Sequence, residues 1–208
     1  MNVVLYGASG MIGSRVLKEL LHRGHTVTAV VRSPEKVTAV GAYVVMGDVL
    51  DPAVVAATAK GVEAAISAYA PPKGDETAII AATHSLLAGL KQAGVRRLIV
   101  VGGAGSLEVA PGVQLVDTPN FPEHFKAIAL AHRDVLPILR QSSLDWTYLS
   151  PAGFIQPGER TGKFRLGGTQ LVADEKGESR ISAEDYAVAL VDELENPQHV
   201  RQQFTLAY

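Results

Sequence analysis

Near the start of the chain, Gly7-Ala8-Ser9-Gly10-Met11-Ile12-Gly13 has the spacing of a turn that holds phosphate. In such a turn the first glycine permits a tight bend and the second lets backbone approach a pyrophosphate. The third lets a helix pack closely on the preceding strand. The turn works only if a strand enters it and a helix leaves it, because the unpaired N–H groups of a helix N-terminus are what face the anion. Val3-Val4-Leu5-Tyr6 supplies the strand, and Val16, Leu17, Leu20 and Leu21 recur with helical spacing up to Gly24. These residues point to a dinucleotide, with Gly7, Ser9, Gly10, Met11, Ile12 and Gly13 around its pyrophosphate.

Its identity turns on the end of the next strand, Thr26 to Val31. A site for NAD(H) places Asp or Glu there, about 20 residues past the glycines, to hold the ribose 2′-hydroxyl. This chain has Arg32, with Ser33 and Lys36 close behind. A guanidinium suits a 2′-phosphate, so NADP(H) is expected over NAD(H). Further contacts are expected from strand ends: Asp48 and Val49 at the adenine, Ala68-Tyr69-Ala70 and Gly102-Gly103 toward the nicotinamide, and Pro151 as a wall beside it.

The elements needed to place these residues follow in order. Apolar or β-branched runs at Val3–Tyr6, Thr26–Val31, Tyr43–Met46, Val62–Ala68, Leu98–Val101 and Trp146–Leu149 alternate with segments of helical period. Ser33-Pro34 and Asp51-Pro52 each place a capping side chain before a proline, and helices are expected near 75–94 and 123–141. The alternation predicts an α/β, Rossmann-like, doubly wound parallel sheet with helices on both faces. Residues 104–122 form a long irregular connection, expected to be functional or mobile. After 151 the alternation breaks: 151–181 reads as a substrate-side lid, with a hairpin or irregular structure over 163–181. Ser182-Ala-Glu-Asp185 reads as a capping box for a last helix, and Phe204–Ala207 as a final strand.

The 208 residues suit a single domain, 1–208, and 47% hydrophobic with 19% charged residues suits a large core. A net charge of −2, with no basic run, speaks against nucleic acid or an anionic membrane surface. No cysteine is present, which excludes thiolate metal sites and cysteine nucleophiles; no basic, apolar leader precedes the first strand, and the expected location is cytoplasmic. The six histidines, His22, His25, His84, His124, His132 and His199, form no pair at ligand spacing, so no metal is expected, and His22 and His25 read as a solvated helix end.

The glycine turn, Arg32, Gly47-Asp48-Val49, Val100-Val-Gly-Gly-Ala-Gly-Ser106 and Trp146-Thr-Tyr-Leu-Ser-Pro151 together resemble the atypical short-chain dehydrogenase/reductases. Within them the similarity is greatest to small NAD(P)H-binding proteins named as NADH-flavin reductases, related to flavin/biliverdin-IXβ reductases and to NmrA-like proteins. It extends over nearly the whole chain and implies cofactor binding. Ordinary members of the superfamily use Tyr and Lys one helical turn apart, so that the lysine lowers the tyrosine pKa. Here that spacing occurs only at Tyr69-Ala-Pro-Pro-Lys73, where prolines forbid the turn. Hydride transfer to a flavin or quinone-like acceptor needs mainly positioning, and His124 and Lys126 are candidates to stabilise charge. The alternative is a regulator of the NmrA kind that binds NADP(H) without turnover. Neither an oligomeric state nor a specific acceptor follows from these residues.

Overall fold

Uncharged β-branched runs are stable where both faces of a strand are covered, and this chain buries most of them between two helical layers, leaving Tyr43–Met46 at the sheet edge exposed. In the computed structural model, which describes residues 1–208, the chain runs β1 (Asn2–Tyr6), α1 (Met11–His22), β2 (Thr26–Val31), β3 (Tyr43–Met46), α2 (Pro52–Thr58), β4 (Ala64–Ser67), α3 (Ala78–Ala93) and β5 (Arg97–Val101). A small hairpin of β6 (Glu108–Ala110) and β7 (Val113–Gln114) then leads to α4 (Glu123–Gln141) and β8 (Asp145–Ser150). The chain finishes with β9 (Phe154–Gln156), β10 (Arg165–Gly167), β11 (Arg180–Ser182), α5 (Ala183–Glu195) and β12 (Gln202–Ala207).

Eight strands form the main sheet in the order β10-β12-β8-β5-β4-β1-β2-β3, and only β10 runs antiparallel to its neighbour. The fold is therefore an α/β Rossmann fold. From β1 the chain winds outward to β3, then crosses back and winds the other way from β4, so strand order reverses between β1 and β4. That reversal opens a crevice beyond the strand ends. Helices α1 and α5 cover one face, where Val16, Leu17, Leu20, Tyr186 and Leu190 pack on the sheet. Helices α2, α3 and α4 cover the other, where Val55, Leu86, Leu90, Val135 and Leu139 do the same. No helix is long and apolar enough to cross a membrane.

Local chemistry fixes the boundaries. Asp51 caps α2 by accepting from the Ala53 N–H at 2.8 Å, and Gly94 ends α3 in the left-handed region at φ 75°. Ser33 makes no such cap, and Pro34–Lys36 is a single 3₁₀ turn. Ser182 caps α5, its hydroxyl accepting from the Asp185 N–H at 2.9 Å, but the reciprocal half of the expected box is missing. Asp185 is fully buried and turns its carboxylate to the segment before it: Thr161 and Gly162 N–H groups reach Oδ1, while the Thr161 and Tyr208 hydroxyls reach Oδ2, all within 2.6–2.8 Å.

The stretch 151–181 differs from a simple hairpin. Its strands divide between two sheets: β10 forms the antiparallel edge beside β12, and β11 pairs in parallel with β9. Residues 169–171 also bridge to Glu108, tying this stretch to the connection before α4. That connection, 104–122, holds two 3₁₀ turns besides its hairpin. His25 is buried and not at a solvated end; its ring meets the terminal amine and Glu195 at 3.2 and 2.9 Å.

Candidate active site

The strand ends that the glycine turn organises form a polar cleft lined by Gly7, Ser9, Gly10, Arg32, Asp48, Val49, Ala68, Tyr69 and Ala70, with Val30, Val31 and Gly47 completing it. The turn is shaped by contacts that leave no room for side chains. A Cβ on Gly13 would lie 2.1 Å from the Gly7 carbonyl, so the fold itself requires glycine there. Gly10 differs: its backbone is extended at φ −74°, ψ 172°, and a Cβ would only graze the Gly7 oxygen at 3.4 Å. Folding would accept a side chain at 10. The glycine makes sense as clearance for a ligand approaching the backbone.

The helix that follows is unfinished in the same sense. No side chain caps α1 at its N-terminus and no acidic residue lies in its first turn, so its leading N–H groups and positive dipole end are left for an anion. Arg32 is exposed at the cleft and makes no hydrogen bond or ion pair within the protein. Across from it Asp48 turns on itself, its Oδ1 accepting from the Leu50 N–H at 3.0 Å. Tyr69 is buried, its hydroxyl has no protein partner, and burial raises its pKa above the usual value. Free amides at the helix start and a free guanidinium fit the phosphates of a dinucleotide.

A second cavity adjoins the first at the start of α1, where Met11 lines it. Its walls include Leu115, Phe121, Phe125, Ile128, Phe154 and Ile155, with Gly103 and Pro151 at the strand ends. Phe125 and Phe154 are 54% and 58% exposed, so two aromatic rings stand at an open mouth. One lining residue, His132 on α4, has a polar side chain. Burial brings its pKa down to about 4, which keeps the imidazole neutral at pH 7.

Tyr148 on β8 holds this wall together. Its hydroxyl accepts from the Gly103 N–H at 3.0 Å, donates to the His132 carbonyl at 2.9 Å and lies 3.3 Å from His132 Nδ1. Complete burial raises the phenol's pKa well above the ordinary range, so it stays protonated as that donor. His132 and Tyr148 both stand in the sequence without a site role: one among six histidines, the other inside the Trp146–Pro151 run. The available signal was helical period: His132 falls on the same face of α4 as Phe125, Ile128 and Ala129.

Several expected residues lie elsewhere. Gly102 faces neither cavity; a Cβ there would meet the Tyr148 ring at 2.2 Å, so its role is close packing. Ile12 packs on the core and Gly13 is buried under the turn, both outside the cleft lining. His124 and Lys126 are exposed near the start of α4 and line neither cavity. The His124 ring rests on Phe125 with centroids 4.1 Å apart, and Lys126 lies 3.8 Å from Glu123. Of 151–181, only residues 151–155 reach the apolar cavity.

Known proteins resemble this chain over its whole length. A Bacillus subtilis protein, uncharacterised and named YwnB, is 40% identical over 99% of this chain and 98% of its own length. Three solved structures cover all of this chain. A Burkholderia pseudomallei protein, provisionally named as exported, is 49% identical with a TM-score of 0.93 over 100% of its length. A Bacteroides thetaiotaomicron protein provisionally named an epimerase is 41% identical, with a TM-score of 0.93 over 96%. A Streptococcus pneumoniae protein provisionally named an NADH-flavin reductase is 35% identical, with a TM-score of 0.88 over 99%. A family described as NAD(P)H-binding matches residues 7–197, from the first glycine of the turn to the residue two past α5. With that match spanning nearly all of the sequence, the chain belongs to the NAD(P)H-binding family.

Proposed function

We propose that this protein binds NADPH in preference to NADH and passes its hydride to a flavin or quinone-like acceptor seated in the apolar cavity. One observation carries the reading: two unlike cavities meet at one helix N-terminus, with Gly10 lining the polar cleft and Met11 lining the apolar one. When bound, the reduced nicotinamide supplies two electrons and one hydrogen as hydride. Gly10 and the first N–H groups of α1 hold the pyrophosphate, and Arg32 takes the 2′-phosphate with Ser33 and Lys36 beside it. Ala68, Tyr69 and Ala70, expected toward the nicotinamide, line the same cleft as Arg32 and Asp48, so we assign them with Val49 to the adenosine half, where Asp48 offers its free carboxylate oxygen. Gly103 and Pro151 let the nicotinamide half reach the apolar walls, which exclude water and hold a flat acceptor by positioning. The accompanying proton enters from solvent at the mouth between Phe125 and Phe154, so no tyrosine–lysine pair is required. Residues 151–155, the part of the expected lid that reaches the cavity, close its acceptor side.

The family's NAD(P)H binding supports the cofactor, and the name of the Streptococcus neighbour supports a flavin acceptor. The epimerase name of the Bacteroides neighbour is less well supported, since that chemistry needs acid and base groups and this cavity offers one neutral imidazole. A cytoplasmic location is part of the proposal, supported by the cysteine-free chain. Steady-state oxidation of NADPH over a panel of flavins and quinones tests it. The expected result is oxidation that depends on acceptor; bound NADPH with no turnover across the panel would refute it and favour a regulator that reads the cofactor without chemistry.

A further inference from the structure

The apolar cavity has one polar side chain, and its hydrogen bonds decide what it offers a ligand. Tyr148 has a single hydroxyl proton, and its shorter contact, 2.9 Å, is to the His132 carbonyl. With that proton committed, the 3.3 Å contact between the Tyr148 oxygen and His132 Nδ1 closes only if Nδ1 carries hydrogen and donates. The imidazole is neutral, so Nε2 is then an unprotonated acceptor. Nε2 has no partner in the protein. It is also not one of the buried side-chain atoms left without partners, which are Tyr69 Oη, Ser85 Oγ, Arg97 Nε and Trp146 Nε1. A partnerless atom that is not sealed in the interior, on a residue lining the cavity, opens into that cavity.

The rest of the lining contributes hydrocarbon and glycine, with no charged side chain. An acceptor ring that presents only carbonyl oxygens would meet His132 Nε2 lone pair to lone pair, while a ring N–H would find the one side-chain acceptor available. We propose that His132 Nε2 accepts a hydrogen bond from a ring N–H of the acceptor, so that the cavity selects neutral planar rings bearing an imide or lactam N–H over quinones. The proposal rests on the reading that this cavity holds the acceptor. It narrows that reading from flavin or quinone-like compounds to the flavin-like class, the isoalloxazine N3–H being the donor.

The test compares lumiflavin with 3-methyllumiflavin, in which a methyl group replaces that hydrogen, as acceptors for NADPH with wild-type protein, His132→Phe and His132→Gln. The same pairs are measured by quenching of flavin fluorescence in the presence of NADP⁺, so that a protein without turnover still gives a ratio. Wild type is expected to prefer lumiflavin by about fivefold to tenfold, the worth of one net hydrogen bond. The preference should collapse toward one in His132→Phe and survive in part in His132→Gln, whose amide oxygen can accept. Every variant keeps the main-chain carbonyl of residue 132, so Tyr148 retains its hydrogen-bond acceptor, and a general loss of structure would lower both flavins together. Equal use of the two flavins by wild type, or a preference that outlives His132→Phe, overturns the proposal. Binding that shows the ratio without turnover would leave His132 assigned and refute hydride transfer; no binding of either flavin would overturn both.

Discussion

Arg32 has no partner within the protein although it stands at the rim of a cleft that also holds Asp48. An unpaired guanidinium in that place gains charge-assisted hydrogen bonds when a phosphate arrives, worth roughly 1.5–3 kcal/mol. Arg32→Ala should therefore weaken NADPH on the order of tenfold to hundredfold and leave NADH little changed, as read by calorimetric titration of both. The two turn glycines should respond in opposite ways. Gly13→Ala, with its Cβ 2.1 Å from the Gly7 oxygen, should lower the unfolding midpoint by several degrees. Gly10→Ala should keep the midpoint and lose cofactor affinity. His132 adds a dependence on pH. Its folded pKa of about 4 lies below its ordinary value, so the unfolded chain takes up a proton that the folded one refuses. Stability should therefore decline as pH falls from about 6.5 toward 4, and thermal unfolding of His132→Gln across that range should show a shallower decline. At this scale the turn and Arg32 were legible because strand, turn and helix are adjacent in sequence. His132 was not, because its setting comes from Tyr148 on β8 and Gly103 beyond the end of β5, which the fold brings to α4.

Among the elements, the segment 157–163 shows how a stretch without regular structure is held. Arg160 forks onto Glu19 of α1 with both contacts at 2.8 Å, Gly158 donates to Glu184 at 2.7 Å, and Asp185 gathers four donors. The hydrogen bonds from Arg160 lead the effects that hold Glu19 down to about 2, with burial opposing and Arg23 assisting. A carboxylate lowered in the folded state stabilises above its ordinary pKa, and that stability is lost as pH falls from about 4.5 toward 2. Arg160→Ala should weaken this acid-sensitive part, as seen in unfolding midpoints measured at pH 7 and pH 3. Asp185→Asn should destabilise by roughly 1.5–3 kcal/mol in urea unfolding, because the buried site loses its charge-assisted hydrogen bonds and an amide nitrogen in the place of Oδ2 would force the Thr161 and Tyr208 hydroxyls to turn from donors into acceptors. The sequence pattern showed Ser182 as a cap but misread Asp185 as its partner. Local spacing identifies which groups can bond nearby, and a buried carboxylate instead answers to whatever donors the chain folds over it.

For the whole molecule, the alternation of apolar strands with periodic helices was enough to specify a doubly wound sheet, since crossover handedness leaves few ways to bury both faces. The antiparallel edge at β10 and the pairing of β9 with β11 were not legible. Those strands are three residues each, too short to carry a period, and their partners are distant in sequence. The crevice where strand order reverses then places the glycine-lined cleft and the apolar cavity side by side, which is why the turn near the N-terminus bears on a histidine in α4. Saturating NADPH should raise the unfolding midpoint, by linkage worth about 2.7 kcal/mol at a hundred times Kd, and NADH at the same concentration should raise it less. The central claim is tested most directly by mixing the protein with NADPH and FMN without oxygen and following both chromophores. The account predicts that nicotinamide and oxidised-flavin absorbance fall together, one flavin reduced for each NADPH consumed, and faster with NADPH than with NADH. Cofactor that binds in the cleft while the flavin stays oxidised would contradict it.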